Sequence, residues 1–299
     1  MRFDRITPHE SGPKQGLTKS IERLPIRQVD INYLVRHSHH ELFRTRNLMS
    51  DTPYISVCIP AYAMGGRGLE FLNHSLKVLS DQDFHAFEVV IADQSEDDAI
   101  KNLCDNYSGL NVKHIPTGHL KRQASANTNA AVNNSRGEVV KVLFQDDFLN
   151  CGDALAKIAN AFEDPKVSWC LTGSEHSRDG TFLIRPFVPR YHDRIHYGKN
   201  TVSSPSVLAF RRQMAPRFDE NLVWLMDVDF YKQCALQWGR PLILPELLAV
   251  NRLHGEQVSA GVDSNLVRRE LRYVHRKYGS DGSWSDWFHY LGRLRKTYL

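Results

Sequence analysis

The feature that most constrains this chain is a series of short apolar segments, separated by helical patterns, that begins at Tyr54. The segments are ISVCIP, FEVVIA, NVKHI, VVKVLF and VSWCLT, at residues 55–60, 87–92, 111–115, 139–144 and 167–172. Strands that alternate with helices predict right-handed βαβ units around a mostly parallel sheet. Nearly continuous apolar strands fit such a sheet, because helices cover both of its faces. We therefore expect an α/β fold with a central sheet flanked by helices.

The helical patterns between these strands have different compositions. One face of the first is predicted to carry Leu69, Leu72, Leu76 and Leu79. Residues 97–106 and 152–162 read as further helices, and the small residues of 122–135 predict a helix packed closely on the sheet. Beyond a less regular stretch at 173–204, we expect strands at 206–210 and 242–250 and a helix at 227–238.

These patterns divide the chain into three regions. Residues 1–53 are predicted to be an N-terminal extension, 54–260 the α/β domain, and 261–299 a helical C-terminal segment. The extension contains His37, His39 and His40, which suggest metal binding by composition alone. Without a second ligand group at a defined spacing, a solvated loop is the preferred interpretation.

Composition excludes several classes of protein. The five cysteines form no CxxC pair, so neither a zinc site nor a thioredoxin-like motif is indicated, and their scattered placement fits a reducing compartment. The polar start MRFDRITPHE shows no signal-peptide pattern, and no run approaches ~18 apolar residues. Basic residues are in excess in 1–50 and 264–299 but not between them, which does not predict nucleic-acid binding. We expect a cytoplasmic protein.

The C-terminal segment predicts an amphipathic helix. Its apolar face holds Trp284, Trp287, Phe288, Leu291 and Leu294, while Arg293, Arg295 and Lys296 lie off that face. Such a helix can lie in the interface of a bilayer. It can equally pack on the protein's own core or on a second subunit. Peripheral contact with the inner face of the membrane is therefore one of these alternatives.

Polar residues follow three of the predicted strands where those strands end. Ligands bind beyond the carboxyl ends of the strands in open α/β sheets, which selects residues 60–62, 93–95 and 146–147. The paired Asp146 and Asp147 repel each other unless a cation or protons compensate. Carboxylate oxygens suit Mg²⁺ or Mn²⁺, with phosphate oxygens and water completing the coordination. For Asp147 a helix-capping role is the alternative.

Residues 54–150 resemble the nucleotide-sugar half of family 2 glycosyltransferases, which have the GT-A fold. The family's first strand ends in Pro-x-Tyr/Phe, and here Pro60 and Tyr62 fill that pattern. Its second strand ends in an acidic turn, matched by Asp93 and Ser95, and its helical asparagine corresponds to Asn129. The family's Asp-x-Asp-Asp motif corresponds to FQDD at residues 144–147.

Two departures from the family pattern concern the diphosphate site. Phe144 stands where the first aspartate of the motif usually falls, so Asp146 becomes the main metal ligand. Thr128 stands where the family has arginine, and Lys121 or Arg122 is a candidate to replace that positive charge. Surface solvation is the alternative for both basic residues.

The second half of the domain, 151–260, resembles the family's acceptor half. Asp227 occupies the place of the catalytic base at the start of a helix, with Met226 where the family has glutamate. Asp229 is expected to point elsewhere. The segment RLHGEQVS, residues 252–259, resembles one whose histidine approaches the metal or the diphosphate, so His254 is a further candidate ligand.

The resemblance implies a glycosyltransferase that uses a nucleotide-diphosphate sugar, with a UDP-sugar preferred, and Mn²⁺ or Mg²⁺. Asp93, with the backbone at Pro60 and Tyr62, would bind the donor's pyrimidine base, and the cation on Asp146 and His254 would neutralise the leaving diphosphate. Asp227 would accept the proton of the acceptor hydroxyl. The same resemblance implies that the reaction inverts the anomeric configuration. It also implies a glycan or lipid-linked acceptor and a role in polysaccharide or glycoconjugate synthesis.

Two other functions stay open on the sequence. A sugar nucleotidyltransferase needs a glycine-rich phosphate loop after the first strand, and residues 65–68, GGRG, lack its lysine pattern. A non-catalytic domain that binds nucleotide sugars or glycans is consistent with Phe144 and Met226. Dinucleotide oxidoreduction is disfavoured because no GxGxxG follows a strand.

Overall fold

The parallel half of the predicted sheet has the strand order β3-β2-β1-β4. These strands are β1 (Ile55–Ala61), β2 (Phe87–Asp93), β3 (Val112–Pro116) and β4 (Val139–Val142). Ala61 pairs with Asp93 and Cys58 with Val142, so the carboxyl ends of β1, β2 and β4 meet at one edge. β4 ends two residues earlier than predicted, although the Leu143 N–H still donates to the Cys58 carbonyl of β1, so residues 144–147 lie beyond the strand pairing. They stand at the edge of the sheet where open α/β folds bind ligands.

The computed structural model describes residues 52–255, 261–279 and 284–298. They all belong to one compact unit, Met49–Leu299. Most of the predicted extension, with His37, His39 and His40, lies outside the described residues, as does the part of the 252–259 segment that follows Gly255.

The second half of the sheet is mixed. β8 (Leu208–Arg211) pairs antiparallel with β4 and with β6 (Trp169–Ser177), and β6 pairs parallel with β9 (Leu242–Arg252). The short strands β5 (Phe148–Leu149) and β7 (Leu183–Phe187) pair antiparallel with β9 and β6. The long strand β9 begins beside the start of β6 and ends beside residues 146–149.

Helices cover both faces of the sheet. They are α1 (Gly68–Ser80), α2 (Ala99–Asp105), α3 (Ala124–Asn133), α4 (Ala154–Ala161), α5 (Met226–Trp238), α6 (Ser264–Tyr278) and α7 (Trp284–Arg295). On α1, three leucines of the predicted face, Leu72, Leu76 and Leu79, are buried, whereas Leu69 is 40% exposed. Phe71 fills the buried position in the first turn.

Small residues bring α3 directly onto the sheet. Every side chain from Ser125 to Ala131 is buried. The helix is followed by Gly137, where an added Cβ would lie 2.6 Å from the Ser56 backbone nitrogen. Real Cβ atoms do not approach backbone so closely, so glycine is required where the chain enters β4.

The C-terminal helices differ in their packing. Leu271 and Val274 of α6 are buried in the core, and the buried Glu270 accepts hydrogen bonds from the backbone N–H groups of Val223, Trp224 and Leu225 just before α5. In contrast, α7 buries no residue completely, and Trp284, Trp287 and Phe288 of its predicted apolar face are exposed. Part of that face still contacts the protein, since the Trp287 ring lies 6.4 Å from the ring of His275 on α6 and Leu294 is half-buried. No helix among the described residues has the length and apolar character that crossing a membrane requires.

Candidate active site

The carboxyl ends of the parallel strands bring the first group of predicted residues together. Residues 60–62 end β1 and lie beside Asp93 at the end of β2 through the register of these strands. The backbone N–H of Tyr62 donates to Oε1 of Gln145 at 2.9 Å, and Asp146 is the next residue. Pro60, Tyr62, Asp93 and Asp146 therefore line one edge of the sheet.

Gln145 joins the first loop to the acidic segment. Its buried carboxamide accepts from Tyr62 and donates through Nε2 to the Gly68 carbonyl at 2.7 Å. A Cβ on Gly68 would lie 2.2 Å from the Tyr62 oxygen and 2.7 Å from Nε2 of Gln145. Gln145 was not predicted as a site residue, because only its position between β4 and the two aspartates distinguishes it in the sequence.

Asp93 is held in a defined orientation. It is 4% exposed, its Oδ1 accepts from the Ser95 backbone N–H at 2.8 Å, and its Oδ2 lies 3.0 Å from Nε2 of His114. The Ser95 hydroxyl is buried and has no hydrogen-bond partner among the described residues. Buried polar groups normally have partners, so this hydroxyl is available to a bound molecule.

Asp146 and His254 are in direct contact. Nε2 of the histidine lies 2.9 Å from Oδ2 of the aspartate, and the imidazole packs on Phe71 with ring centroids 5.0 Å apart. The His254 side chain is 2% exposed and that of Asp146 is 13% exposed. A buried imidazole and a partly accessible carboxylate therefore form a pair at the edge of the sheet.

This pair fits a divalent cation that is shared with a ligand. Within 52–255, 261–279 and 284–298 no cluster of three His, Cys, Asp or Glu side chains is grouped for metal binding. Mg²⁺ is commonly held by one or two carboxylates together with substrate phosphates and water. Asp146 supplies a carboxylate oxygen, which both Mn²⁺ and Mg²⁺ accept, and His254 supplies an adjacent imidazole nitrogen, a ligand more typical of a transition-metal ion than of Mg²⁺. The remaining positions suit diphosphate oxygens.

Asp147 has a different environment from its neighbour. Its Oδ1 accepts from the Arg252 backbone N–H at 3.0 Å, and its Oδ2 lies 2.9 Å from the Ser204 hydroxyl. Burial, followed by repulsion from Asp146, raises the pKa of Asp147 to about 7. Asp147 caps no described helix, since α4 begins at Ala154, and it instead ties β9 to the acidic segment.

Arg252 is a further site residue that the sequence analysis did not single out. Its Nε donates to the Asp146 backbone oxygen at 3.0 Å, and its guanidinium lies over the rings of Phe71 and Phe148 at 4.8 and 5.3 Å. Burial lowers the pKa of Arg252, although the neighbouring carboxylates oppose that shift. An arginine that ends an apolar strand two residues before His254 is the signal that could have identified it.

Asp227 lies in the first turn of α5, where its carboxylate is fixed by two donors. Oδ1 accepts from the Val228 backbone N–H at 2.7 Å and Oδ2 from Nδ2 of Asn200 at 2.8 Å. Burial is the largest effect on this group and raises the pKa of Asp227 to about 7, while the Val228 N–H opposes the shift. A carboxylate with a pKa near neutrality and a partly accessible oxygen suits a general base.

Residues 200–204 connect Asp227 with the acidic segment. Asn200 holds Asp227 and also donates to the Ser203 carbonyl at 2.9 Å. The Ser203 hydroxyl accepts from Nδ2 of Asn251 at 2.7 Å, and Oδ1 of Asn251 lies 2.6 Å from the Ser204 hydroxyl beside Asp147. One hydrogen-bonded network therefore reaches from the candidate base to the carboxylate next to the candidate metal ligand.

Three predicted residues make their contacts elsewhere. Asn129 donates to the Phe218 carbonyl and to Oε1 of Glu220, both at 2.9 Å, and accepts from the Phe218 N–H. Lys121 donates to the Glu220 carbonyl at 2.7 Å, and the exposed Arg122 pairs with Glu96. Asn129 and Lys121 thus hold the segment before α5 against α3. Asp229 is engaged by Gln233, Lys277 and Tyr278.

The chain is similar to known proteins both in sequence and in fold. The model of the family described as "Glycosyl transferase family 2" matches residues 56–218, more than half of the chain. S. aureus TarS 1-349 in complex with UDP-GlcNAc is similar with a TM-score of 0.60 at 19% identity, over 82% of this chain and 71% of that one. The mannosyltransferase PcManGT from Pyrobaculum calidifontis, in complex with GDP-Man and Mn²⁺, is similar with a TM-score of 0.55 at 16% identity, over 82% and 74%.

No curated protein matches the chain. The family match rests on sequence. The solved structures have low sequence identity to this chain, so their similarity shows the fold alone. The chain therefore belongs to glycosyl transferase family 2 and is a glycosyltransferase with the GT-A fold.

Proposed function

We propose that this glycosyltransferase moves a sugar from a nucleotide-diphosphate donor, a UDP-sugar by preference, to an acceptor hydroxyl with inversion. The observation that carries the proposal is the contact between Asp146 and His254 at the edge where Asp93 also lies. Solved structures of the same fold include complexes with UDP-GlcNAc and with GDP-Man, which supports a nucleotide-sugar donor.

The donor's base is expected beside the ends of β1 and β2. The Asp93 carboxylate accepts a hydrogen bond from a ring N–H of the pyrimidine, and the Ser95 hydroxyl gains the partner that it lacks in the protein alone. The backbone at Pro60 and Tyr62, held by Gln145, forms the wall beside the base. Asp93 is buried, so a base that offers it no hydrogen-bond donor would leave a buried carboxylate without a partner and bind more weakly. This difference in affinity would favour donors with the matching base.

Asp146 and His254 would hold Mn²⁺ or Mg²⁺, which supplies positive charge to the departing diphosphate. Arg252 positions Asp146 by binding its backbone oxygen, and Phe71 orients the imidazole. In the division inferred from the sequence, Asp146 comes from the nucleotide-sugar half, 54–150, and His254 from the acceptor half, 151–260. The proposed cation site would thus join the two halves.

Asp227 is the proposed general base. Its carboxylate takes the proton of the acceptor hydroxyl while that oxygen attacks the anomeric carbon, and the bond to the diphosphate breaks. Attack from the face opposite the leaving group inverts the anomeric configuration. Asn200 keeps one carboxylate oxygen in place through its amide. The raised pKa of Asp227 strengthens it as a base near neutral pH.

The acceptor is proposed to be a glycan or a lipid-linked sugar in polysaccharide or glycoconjugate synthesis. The exposed aromatic residues Trp284, Trp287 and Phe288 support peripheral contact of α7 with the cytoplasmic face of a membrane. Flotation with anionic liposomes tests this contact. Wild-type protein should float, and a Trp284→Ser/Phe288→Ser variant should float much less; equal flotation of the two would argue against it.

A thermal-shift screen of UDP-, GDP- and dTDP-sugars with and without Mn²⁺ tests the donor class. We expect a UDP-sugar to stabilise the wild-type protein in Mn²⁺ and to have little effect on Asp146→Ala. Equal stabilisation without Mn²⁺, or in the variant, would overturn the metal assignment. Transfer or hydrolysis of the stabilising donor would then separate an active transferase from a domain that only binds nucleotide sugars.

A further inference from the structure

A cavity that takes no part in the mechanism above lies next to the segment that holds Asp227. It is open to solvent, has a volume of about 1030 Å³ and is lined by most of residues 191–201, by Lys232 and Arg240, and by side chains of α7. This volume is at the upper end of the range for small-molecule sites. Lys199 and Thr201 line the cavity, whereas Asn200 between them bonds Asp227. One short segment therefore borders the cavity and also holds the proposed base.

The lining of this cavity is strongly basic. Two carboxylates line it, Asp193 and Asp286, and each is within 4.0 Å of an arginine, Arg240 and Arg194 respectively. Four further cationic side chains have no ion pair with a carboxylate among the described residues: Lys199, Lys232, Arg293 and Lys296. Uncompensated charges of one sign around a cavity concentrate the opposite charge.

Two buried polar atoms in the lining also lack partners. Nδ1 of His196 and the hydroxyl of Tyr191 are buried without a hydrogen-bond partner in the described part of the chain, and His196 is 4% exposed overall. Burial lowers the pKa of His196 to about 4, with the charge of Lys232 acting in the same direction. The imidazole is therefore a neutral hydrogen-bonding group beside the lysines.

We propose that this cavity binds a phosphate-bearing ligand, whose oxygens are held by Lys199, Lys232 and Lys296. Four uncompensated cations exceed what one carboxylate would balance, whereas a phosphate or diphosphate carries two or more negative charges and several acceptor oxygens. Lysines bind phosphate as point charges without demanding a fixed geometry. Phe288, which is 70% exposed, lies at the rim and is suited to an apolar group attached to the phosphate.

The phosphate can belong to an anionic lipid headgroup or to a soluble phosphate ester, and the two sources share this chemistry. In either case the ligand would be distinct from the donor, because the proposed donor-site residues Asp93, Asp146 and His254 do not line the cavity. An occupant would also restrain the segment that carries Asn200. The proposal does not depend on Asp146, His254 or a divalent cation.

Isothermal titration of the full chain with inorganic pyrophosphate, in EDTA, tests the cavity without the metal. We expect saturable binding that falls about a hundredfold in Lys199→Glu/Lys296→Glu, because two charge-assisted contacts become repulsive. Lys77→Glu/Lys166→Glu, which makes the same charge change at other exposed lysines, should bind as the wild type does. Absence of binding to the wild type, or equal loss in both double variants, would overturn the proposal.

Gly292 offers a test that leaves the charge unchanged. It lines the cavity, and a Cβ added there meets nothing within 4 Å. Gly292→Phe should abolish pyrophosphate binding by filling the space, while Gly292→Ala should retain it. Asp146→Ala should also retain pyrophosphate binding. If this variant lost pyrophosphate binding, pyrophosphate would be at the donor site and the cavity assignment would be refuted, whatever the effect of the variant on donor binding.

Vesicles distinguish the two sources of phosphate. If phosphatidylglycerol vesicles, but not phosphatidylcholine vesicles, bind the protein and pyrophosphate competes with them, the cavity receives a lipid headgroup. Pyrophosphate binding without vesicle binding assigns it to soluble phosphate esters. Vesicle binding that pyrophosphate does not affect and that Gly292→Phe preserves would contradict a headgroup in the cavity.

Discussion

Nε2 of His254 lies 2.9 Å from Oδ2 of Asp146, although 108 positions separate the two residues in the chain. The contact exists because β9 runs parallel to β6 and ends at Arg252 beside the acidic segment. It brings together an imidazole and a carboxylate where the family motif has lost its first aspartate to Phe144. The histidine therefore stands as the proposed second protein ligand.

Removal of the imidazole should weaken donor binding only when the cation is present. For His254→Ala we expect the Kd of the UDP-sugar in Mn²⁺ to rise about ten- to a hundredfold, the effect of losing one contact to a charged group. In EDTA the variant and the wild type should bind the donor equally. A Kd in Mn²⁺ that matches the wild type would remove His254 from the cation site. His85→Ala, remote in the α1–β2 connection, is the control.

Asp227→Asn should separate catalysis from binding. The amide preserves the size of the side chain but accepts no proton, so kcat should fall about 10²- to 10⁴-fold while the Kd of the donor stays the same. Asp105→Asn, an exposed carboxylate at the end of α2, should leave kcat unchanged. Steady-state kinetics with saturating donor measure both effects, and a wild-type kcat in Asp227→Asn would rule out the base assignment.

The pH dependence of kcat should report the same carboxylate. A base must be ionised to act, so kcat should rise with pH and level off above about 7, the pKa of Asp227. Asn200 donates to this carboxylate, and a hydrogen bond to the ionised form of a carboxyl group favours that form. Asn200→Ala should move the rising limb to higher pH, and a limb that moved to lower pH, or not at all, would contradict the role given to Asn200.

Gly68→Ala should disturb the first loop of the site. The new Cβ would lie 2.2 Å from the Tyr62 oxygen and displace Gln145, which holds both Tyr62 and the segment before Asp146. We expect a loss of about 1–3 kcal/mol in the free energy of unfolding, together with weaker donor binding. Gly109→Ala, where an added Cβ meets nothing within 4 Å, is the matched control. Denaturant unfolding of both variants measures the difference, and equal stability would show that the loop adapts.

Much of the fold could be predicted because the pattern of apolar and polar residues within a short segment indicates whether that segment forms a strand or a helix. The apolar runs before Asp93 and Asp146 formed parallel strands, and the small residues of α3 packed on the sheet as expected. Leu69 has the spacing of the apolar face of α1, but it is 40% exposed, and Phe71 is the residue buried in the first turn. Periodicity alone does not decide which of two neighbouring apolar residues a core can accommodate.

The side-chain partners of the site were less predictable. Asn129 follows the family pattern, yet its amide binds the backbone of Phe218, which lies far along the chain. Lys141 sits in a strand read as apolar, and it is fully buried with its ammonium on the Ser206 carbonyl. Burial lowers the pKa of Lys141 to about 8, and the nearby Asp147 acts against that shift. Neither the Asn129 contact nor the Lys141 contact could be predicted from the residues next to it in the sequence.

The positions of the strands in the parallel half, and the polar residues at their ends, follow from local sequence, because side-chain periodicity and the chemistry of turns act over a few neighbouring residues. The contacts of His254 with Asp146, of Asn200 with Asp227 and of Gln145 with Tyr62 arise from the folded chain alone. These pairs depend on the register of strands and on crossovers between segments tens of residues apart. These contacts can form, and stabilise the protein, only after the whole sheet has formed.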